Sequence, residues 1–386
     1  MYEIPLSKPE IGPLERRYVD RVLSSDRLAM GPFTARFEAA MATACGTRHA
    51  VAVSSGTGAL HLSALALGLR PGDEVVTTPY SFVASSNVLL YAGATPRFVD
   101  IDPETYHLDA ERAAAAITPA TRGLLPVDVF GLPADWPALA RLADEHGLFL
   151  LDDACHGLGA ALAGRPLGSW GDAACFGFYP NKQITTGEGG CITTDSDALA
   201  ARCRSLRNQG RSEDGRMEHV HLGFNYRMSE LEAALGCAQL ERLTELLDRR
   251  ARAAALYREA LAPLQPDLAL PAEPAPEVQR SWFVYVVRLA DHFTEEARDV
   301  LMHRLREQGI GCAPYFPSIH LQPYYRRRFG FKPGDFPVCE AVSARTLALP
   351  FFGALTEADV HRVAGALEAA LPMLPCKTRS AWVQNL

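Results

Sequence analysis

Residues 71–102 read PGDEVVTTPYSFVASSNVLLYAGATPRFVDID. The run DEVVTT is short and apolar, SSNVLLYAG has helical spacing, and TPRFVDI is a second short apolar run. A strand buried on both faces reads as a continuous apolar run, and two such runs joined through a helix make a βαβ unit with parallel strands. The alternation extends on both sides. HAVAV precedes ALHLSALALGL from His49 onward, and RGLLPVDVF, WPALARLADEHG and LFLLDDA follow as far as Ala154. This repetition predicts an α/β fold whose mostly parallel sheet is covered on both faces.

A longer helical pattern begins near Met228, where Ser229 and Glu232 have the spacing of a capping box, and continues through LEAALGCAQLERLTELLDRRARAAALYREAL. It is expected to close a large domain of residues 1–250 that includes the N-terminal segment. Beyond the proline-rich LAPLQPDLALPAEPAPE come a strand-like SWFVYVVRL and the helical TEEARDVLMHRLREQG and EADVHRVAGALEAAL. These predict a smaller α+β domain over residues 251–386.

Composition narrows the function classes. The chain has 386 residues, 48% hydrophobic and 22% charged, which suits an ordinary globular protein large enough for two domains. A net charge of -7 and no basic cluster beyond the short Arg326 to Arg328 run argue against nucleic acid as a partner. The N-terminus lacks a basic start followed by an apolar stretch, and no apolar run reaches the ~18 residues of a membrane span. A cytoplasmic protein with no membrane partner is expected. Nine cysteines without a CxxC pair point to buried reduced thiols rather than to a zinc site or a disulfide framework, so no metal is expected.

Four features bear on chemistry. In VAVSSGTGALHL a strand runs into a Ser/Gly/Thr turn that opens a helix. Amides free at a helix start attract a phosphate, and Gly56 and Gly58 permit close approach, although a plain N-cap explains the turn equally well. In GLFLLDDACHG a strand ends in two carboxylates. Ligands of open α/β sheets bind beyond the carboxyl ends of strands, which places Asp153 toward a ligand, while Asp152 is expected to be a solvated turn residue. In FGFYPNKQITTGEGG, Lys182 follows a strand-like run and precedes a glycine-rich tract. Partial desolvation there would lower its pKa and free the amine as a nucleophile or base, whereas composition alone makes it a surface lysine. In PYSFVASSN, Phe82 is either an aromatic face for a flat ring or simply core.

Taken in order, IPLSKPEIG, SSGTGALHL, PGDEVVTTPYSFVASSNVLLYAGATPRFVDID, DDACHGLGA, FGFYPNKQITTGEGG, LGFNYRMSELEAALG and PYFPSIHLQPYY resemble the DegT/DnrJ/EryC1/StrS family of sugar aminotransferases. These are pyridoxal-phosphate enzymes of the aspartate aminotransferase (type I) fold, and the resemblance covers nearly the whole chain. It implies a large domain with a mostly parallel seven-stranded sheet flanked by helices. It further implies that Lys182 forms the Schiff base with pyridoxal 5'-phosphate and that Asp153 pairs with the protonated pyridine nitrogen, so that the ring can accept electrons. Phe82 would stack on the ring, Gly56 and Thr57 would carry the phosphate, and His156 would lie beside the ring. Asn225 would reach the phosphate from the other subunit of a homodimer, and His320 would stand near the sugar end of the pocket.

Some positions depart from the family's usual pattern. Gly177 stands where a serine hydroxyl would help hold the phosphate, Gln209 replaces a histidine, Asp152 a glutamate and Cys155 an alanine. The implied reaction moves the amino group of L-glutamate to a keto group of a nucleotide-linked sugar, 4-keto sugars being the family's most frequent substrates. Lys182 argues against the branch of the family that has histidine at this position and removes a sugar hydroxyl. Two readings stay open beside it: a keto-inositol aminotransferase, which shares every motif quoted, and a regulator that binds the cofactor without turnover. Arg326 to Arg328 is either a solvated surface run or a contact for a diphosphate.

Overall fold

Seven strands form the central sheet of the computed structural model, which describes residues 2–212 and 217–376. In chain order they are β1 (His49–Val53), β2 (Glu74–Thr77), β3 (Thr95–Phe98), β4 (Thr121–Leu125), β5 (Phe149–Asp153), β6 (Ala173–Gly177) and β7 (Gly190–Thr194). Their order across the sheet is β1-β7-β6-β5-β4-β2-β3. Neighbours from β6 to β3 pair in parallel, and β7 runs antiparallel to both β1 and β6. The α/β architecture predicted from the alternating runs is therefore present.

Period-two alternation divides each strand between two cores. Val51 and Val53 of β1 face one core with Ala173 and Cys175 of β6, while Ala50 and Ala52 face another with Ala174 and Phe176. Both faces are thus apolar, which is why the strands read as unbroken apolar runs. The helices Gly56–Ala66, Ala84–Tyr91 and Trp136–His146 fall where the helical spacing predicts them.

The pattern after Met228 resolves into two helices, Glu230–Glu241 and Leu243–Leu261. The capping box of Ser229 and Glu232 starts the first. Arg242 interrupts the run at φ -104° and ψ 10°, and its guanidinium bonds Glu15 at 2.7 Å and Glu245 at 3.1 Å. A one-residue break leaves the apolar spacing nearly unchanged, so the sequence reads through it. The expected domain division at residue 250 falls inside the helix Leu243–Leu261.

Beyond that helix a small antiparallel sheet joins Leu268–Ala269, Tyr285–Leu289 and Thr346–Leu349. The helices Glu295–Glu307 and Glu357–Ala370 pack into a core with it that includes Tyr257, Tyr285, Leu305, Leu347 and Leu367. Ile4 joins the same core through a parallel bridge to Ile310, so the N-terminal segment is pinned to the C-terminal part of the chain. Among the described residues no helix is long and apolar enough to cross a membrane. All nine cysteines are free, seven of them buried, with Cys155 half-buried and Cys376 exposed.

Candidate active site

The carboxyl ends of β5 and β6 and the start of the helix Gly56–Ala66 open on one cavity of about 650 Å³. Gly56, Thr57, Phe82, Asp153, His156 and Lys182 all line it. Six of the eight residues singled out in the sequence therefore converge on one place, as the crevice rule for open α/β sheets leads one to expect.

Ser55 caps the helix, its hydroxyl accepting from the Gly58 amide at 3.0 Å. The amides of Gly56 and Thr57 lie in the first turn, where a helix offers them no acceptor of its own, and the helix dipole adds positive potential there. A Cβ on Gly56 would meet the Cys155 sulfur at 2.9 Å and the Gly177 Cα at 3.1 Å, so only glycine fits this approach. A Cβ on Gly177 would find its nearest neighbours at 3.5 Å, an ordinary contact. The serine usual at that position is thus absent without steric necessity.

Asp153 ends β5 nearly buried. Its Oδ2 accepts from the Ser85 hydroxyl at 2.6 Å and its Oδ1 from the Cys155 amide at 3.2 Å. Two donors on one carboxylate fix its plane. Ser85 is held in turn by the Ser81 hydroxyl at 2.8 Å.

Asp152 corrects the expectation of a solvated turn. It belongs to β5 and is fully buried, facing the Asp128 carboxyl and the Gly168 backbone. Burial pushes its pKa well above the carboxylate range, and Asp128 and Asp153 push it further. Asp128 accepts from the Ala134 amide at 2.8 Å and the Trp136 indole at 3.1 Å, yet burial still raises its pKa to about 7. Burial thus holds both carboxyl groups toward the protonated form.

Lys182 is half-buried, its Nζ 4.0 Å from the centre of the Phe283 ring. Desolvation lowers its pKa to about 8, Arg250 adds to the shift, and Asp153 opposes it. The loop that carries it is fastened from a distance. The Arg250 guanidinium donates to the Lys182 carbonyl at 2.6 Å and to the Phe283 carbonyl at 3.1 Å.

His156 lies parallel to Phe283, with ring centres 4.3 Å apart and planes 13° apart. Burial drives its pKa well below the usual histidine value, reinforced by Lys182, so the imidazole is neutral. Its Nδ1 is buried without a partner among the described residues.

Two expected site residues stand outside the cavity. Asn225 is exposed in an extended segment bridged to Asn208. His320 is fully buried and bonds Glu340 at 3.0 Å through Nε2, packed against Phe336. Its side chain is directed to Glu340, Phe331 and Phe336 rather than to the cavity. Sequence reading missed Ser85, Arg250 and Phe283. An arginine inside a helical repeat and aromatics inside apolar runs carry no local mark of a site.

A backbone cradle with room only for glycine, a carboxylate and an amine lining the same cavity, and an unpartnered buried nitrogen beside it together fit a flat, phosphorylated, cationic ring. The profile of the DegT/DnrJ/EryC1/StrS aminotransferase family matches residues 9–368. A GDP-perosamine synthase from Caulobacter vibrioides is 40% identical over 374 residues, covering 95% of this chain and 98% of that protein. The crystal structure of DesI in the presence of its TDP-sugar product is 36% identical with a TM-score of 0.87, covering 96% and 94% of the two chains. The PLP form of a sugar aminotransferase, Spr1654 from Streptococcus pneumoniae, is 26% identical with a TM-score of 0.91, covering 96% and 99%.

The buried carboxyl pair makes a stability prediction. Folded Asp128 keeps its proton up to about pH 7, whereas the unfolded chain loses it near 3.8, so this group costs stability as pH rises between those values. Thermal unfolding of Asp128→Asn should show a flatter fall of Tm from pH 5 to pH 7.5 than the wild type in the same cofactor state. A steeper fall in the variant would contradict the raised pKa of Asp128.

Proposed function

The chain belongs to the DegT/DnrJ/EryC1/StrS aminotransferase family and is a pyridoxal-phosphate-dependent aminotransferase, and on that premise we propose that it moves the amino group of L-glutamate to the keto group of a nucleotide-linked sugar. The observation that carries this reading is the shared cavity of Lys182 and Asp153, with the glycine cradle at Gly56 completing it. The relatives named for a GDP-sugar and for a TDP-sugar product favour a nucleotide-linked acceptor over a free keto-inositol. A 4-keto sugar is the acceptor proposed.

Pyridoxal phosphate, when bound, supplies an aldehyde that takes up an amine and a pyridinium ring that accepts the electron pair left when a proton leaves carbon. The protein's part follows from its own residues. Gly56 and Thr57 would hold the phosphate by amides at the helix start. Asp153, oriented by Ser85 and Cys155, would bind the protonated ring nitrogen. Phe82, 60% exposed at the cavity wall, offers a face for the ring, and the neutral His156 flanks it. Lys182 Nζ would hold the cofactor and then carry the proton to and from the substrate carbon, work that suits an amine of lowered pKa.

The active unit proposed is a homodimer in which Asn225 completes the partner's phosphate site. Leu222, Val220 and Met217, exposed in the same segment, support a surface that a second copy covers. Free cysteines throughout accord with a reducing cytoplasm.

Three measurements test these roles. Capture of pyridoxal phosphate by the cofactor-free protein should accelerate with pH through about 8, where the Lys182 amine loses its proton, and Lys182→Ala should abolish both capture and turnover. Asp153→Asn should retain the fold and lose roughly a hundredfold in turnover, the scale of truncating one partner of a buried charge pair. Gly177→Ser should tighten cofactor binding by about five- to tenfold, one added hydrogen bond, in equilibrium dialysis. A panel of UDP-, dTDP- and GDP-linked ketosugars and a keto-inositol, each scored for glutamate-dependent amination, decides the acceptor. Amination of the cyclitol alone would overturn the nucleotide-sugar reading.

A further inference from the structure

Arg250 is a buried cation that, among the described residues, has no carboxylate bonded to it. It is 4% exposed, and its guanidinium donates to three backbone carbonyls, those of Lys182 at 2.6 Å, Phe283 at 3.1 Å and Asn181 at 3.5 Å. Glu10, the carboxylate whose charge reaches it, is bonded instead to Arg249 at 2.7 Å. A buried charge without a counter-ion is costly, and a neutral amide satisfies carbonyls without that cost. Stability alone therefore does not account for a guanidinium here. We propose that Arg250 is a positioning residue of the reaction, a fixed cation that holds the Lys182 amine over the Phe283 ring and opposes its protonation. The proposal rests on the role given to Lys182 above.

The two segments that Arg250 joins are the two that meet at the amine. Lys182 Nζ lies over the Phe283 ring, and that ring is stacked on His156. Gln183 adds to the fastening, its side-chain amide donating to the His156 carbonyl at 2.5 Å and the Ser281 hydroxyl at 3.0 Å. The loop that carries the amine is thus tied to residues 281–283 at two successive positions. Burial has the largest influence on the amine and lowers its pKa to about 8, Cys155 and Asp153 oppose that shift, and Arg250 adds to it. Burial lifts the Cys155 thiol well above its ordinary value and drives His156 well below its own, so both are neutral. Asp153 and Arg250 are left as the opposed influences of charge. Tyr179, Glu188 and Tyr315 share the cavity and are not among the groups that shift the amine. A charge held in a buried place acts over several ångströms with little screening by salt.

The rate at which the cofactor-free full chain captures pyridoxal phosphate covalently, followed by visible absorbance against pH, reads the amine directly. Comparing variants with the wild type cancels the cofactor's own titrations. Arg250→Gln keeps a donor and loses the charge. Without the cation the amine holds its proton more firmly, so the midpoint should rise by about half a pH unit or more. Arg250→Lys keeps the charge and loses the planar fork, so the midpoint should stay within about 0.3 unit while capture slows about threefold or more. Arg249→Gln removes the neighbouring guanidinium, which binds Glu10 and Glu245 at the surface, and should change neither quantity. A merely structural Arg250 would slow capture at every pH and leave the midpoint in place. An unmoved midpoint in Arg250→Gln, or equal shifts in the Gln and Lys variants, would overturn the proposal. Should Arg250→Gln not fold, Phe283→Leu removes the ring that favours the ammonium and should move the midpoint below that of the wild type, and an unmoved midpoint there would overturn the seat. Capture that survives Lys182→Ala would overturn the reading of the site itself. Capture that needs Lys182, with Arg250 variants behaving like Arg249→Gln, would overturn the role of Arg250 alone.

Discussion

The candidate site depends on one buried cation. Arg250 projects from the helix Leu243–Leu261, and its hydrogen bonds run to backbone carbonyls on two separate segments, that of Lys182 after β6 and that of Phe283 before the small sheet. A guanidinium offers five donors in a fixed plane, so one side chain can set the spacing of two loops. Burial lowers its pKa to about 10, which leaves it cationic at neutral pH. It therefore does two things at once. It holds the Phe283 ring under the Lys182 amine, and its charge helps to keep that amine from being protonated. Replacing it with a neutral side chain would leave carbonyls without donors, and such losses are costly in a buried place.

Asp152 and Asp153 show how the sheet turns neighbouring identical residues to opposite ends. Successive side chains of a strand point to opposite faces, so Asp153 meets the cavity and the donors of Ser85 and Cys155, while Asp152 meets the interior and Asp128. The first meets a hydroxyl and an amide donor at the cavity. Burial and the neighbouring carboxyls push the pKa of the second well above the carboxylate range, against a smaller opposing effect of the Gly168 backbone.

The sheet was legible because burial on both faces writes itself into the chain as short apolar runs, and the strands begin and end within a residue or two of HAVAV, DEVVTT and LFLLDDA. The cavity was legible where residue type and strand end coincide, as at Asp153 and Lys182. Asp152 was misread because the rule that places ligands at strand ends says nothing of which face a given carboxylate takes. That depends on strand register, which a single sequence fixes only once the neighbours are known. The break at Arg242 was hidden for a related reason, since one displaced residue barely disturbs a 3.6-residue repeat. Arg250 and Phe283 were invisible because their contacts span 68 and about a hundred positions of chain respectively.

Chemistry and specificity come from different parts of the chain. The groups that would act on the cofactor are fixed by the ends of β5 and β6 and by a helix start, elements buried on both faces and intolerant of change. Tyr324, Arg327 and Arg328 sit instead on a seven-residue helix whose arginines are exposed and bear little of the core, although Tyr325 anchors it inside. The same division explains why motif reading recovers the reaction and leaves the acceptor open: the reaction is written in residues that the fold constrains, and the acceptor in residues that it leaves free.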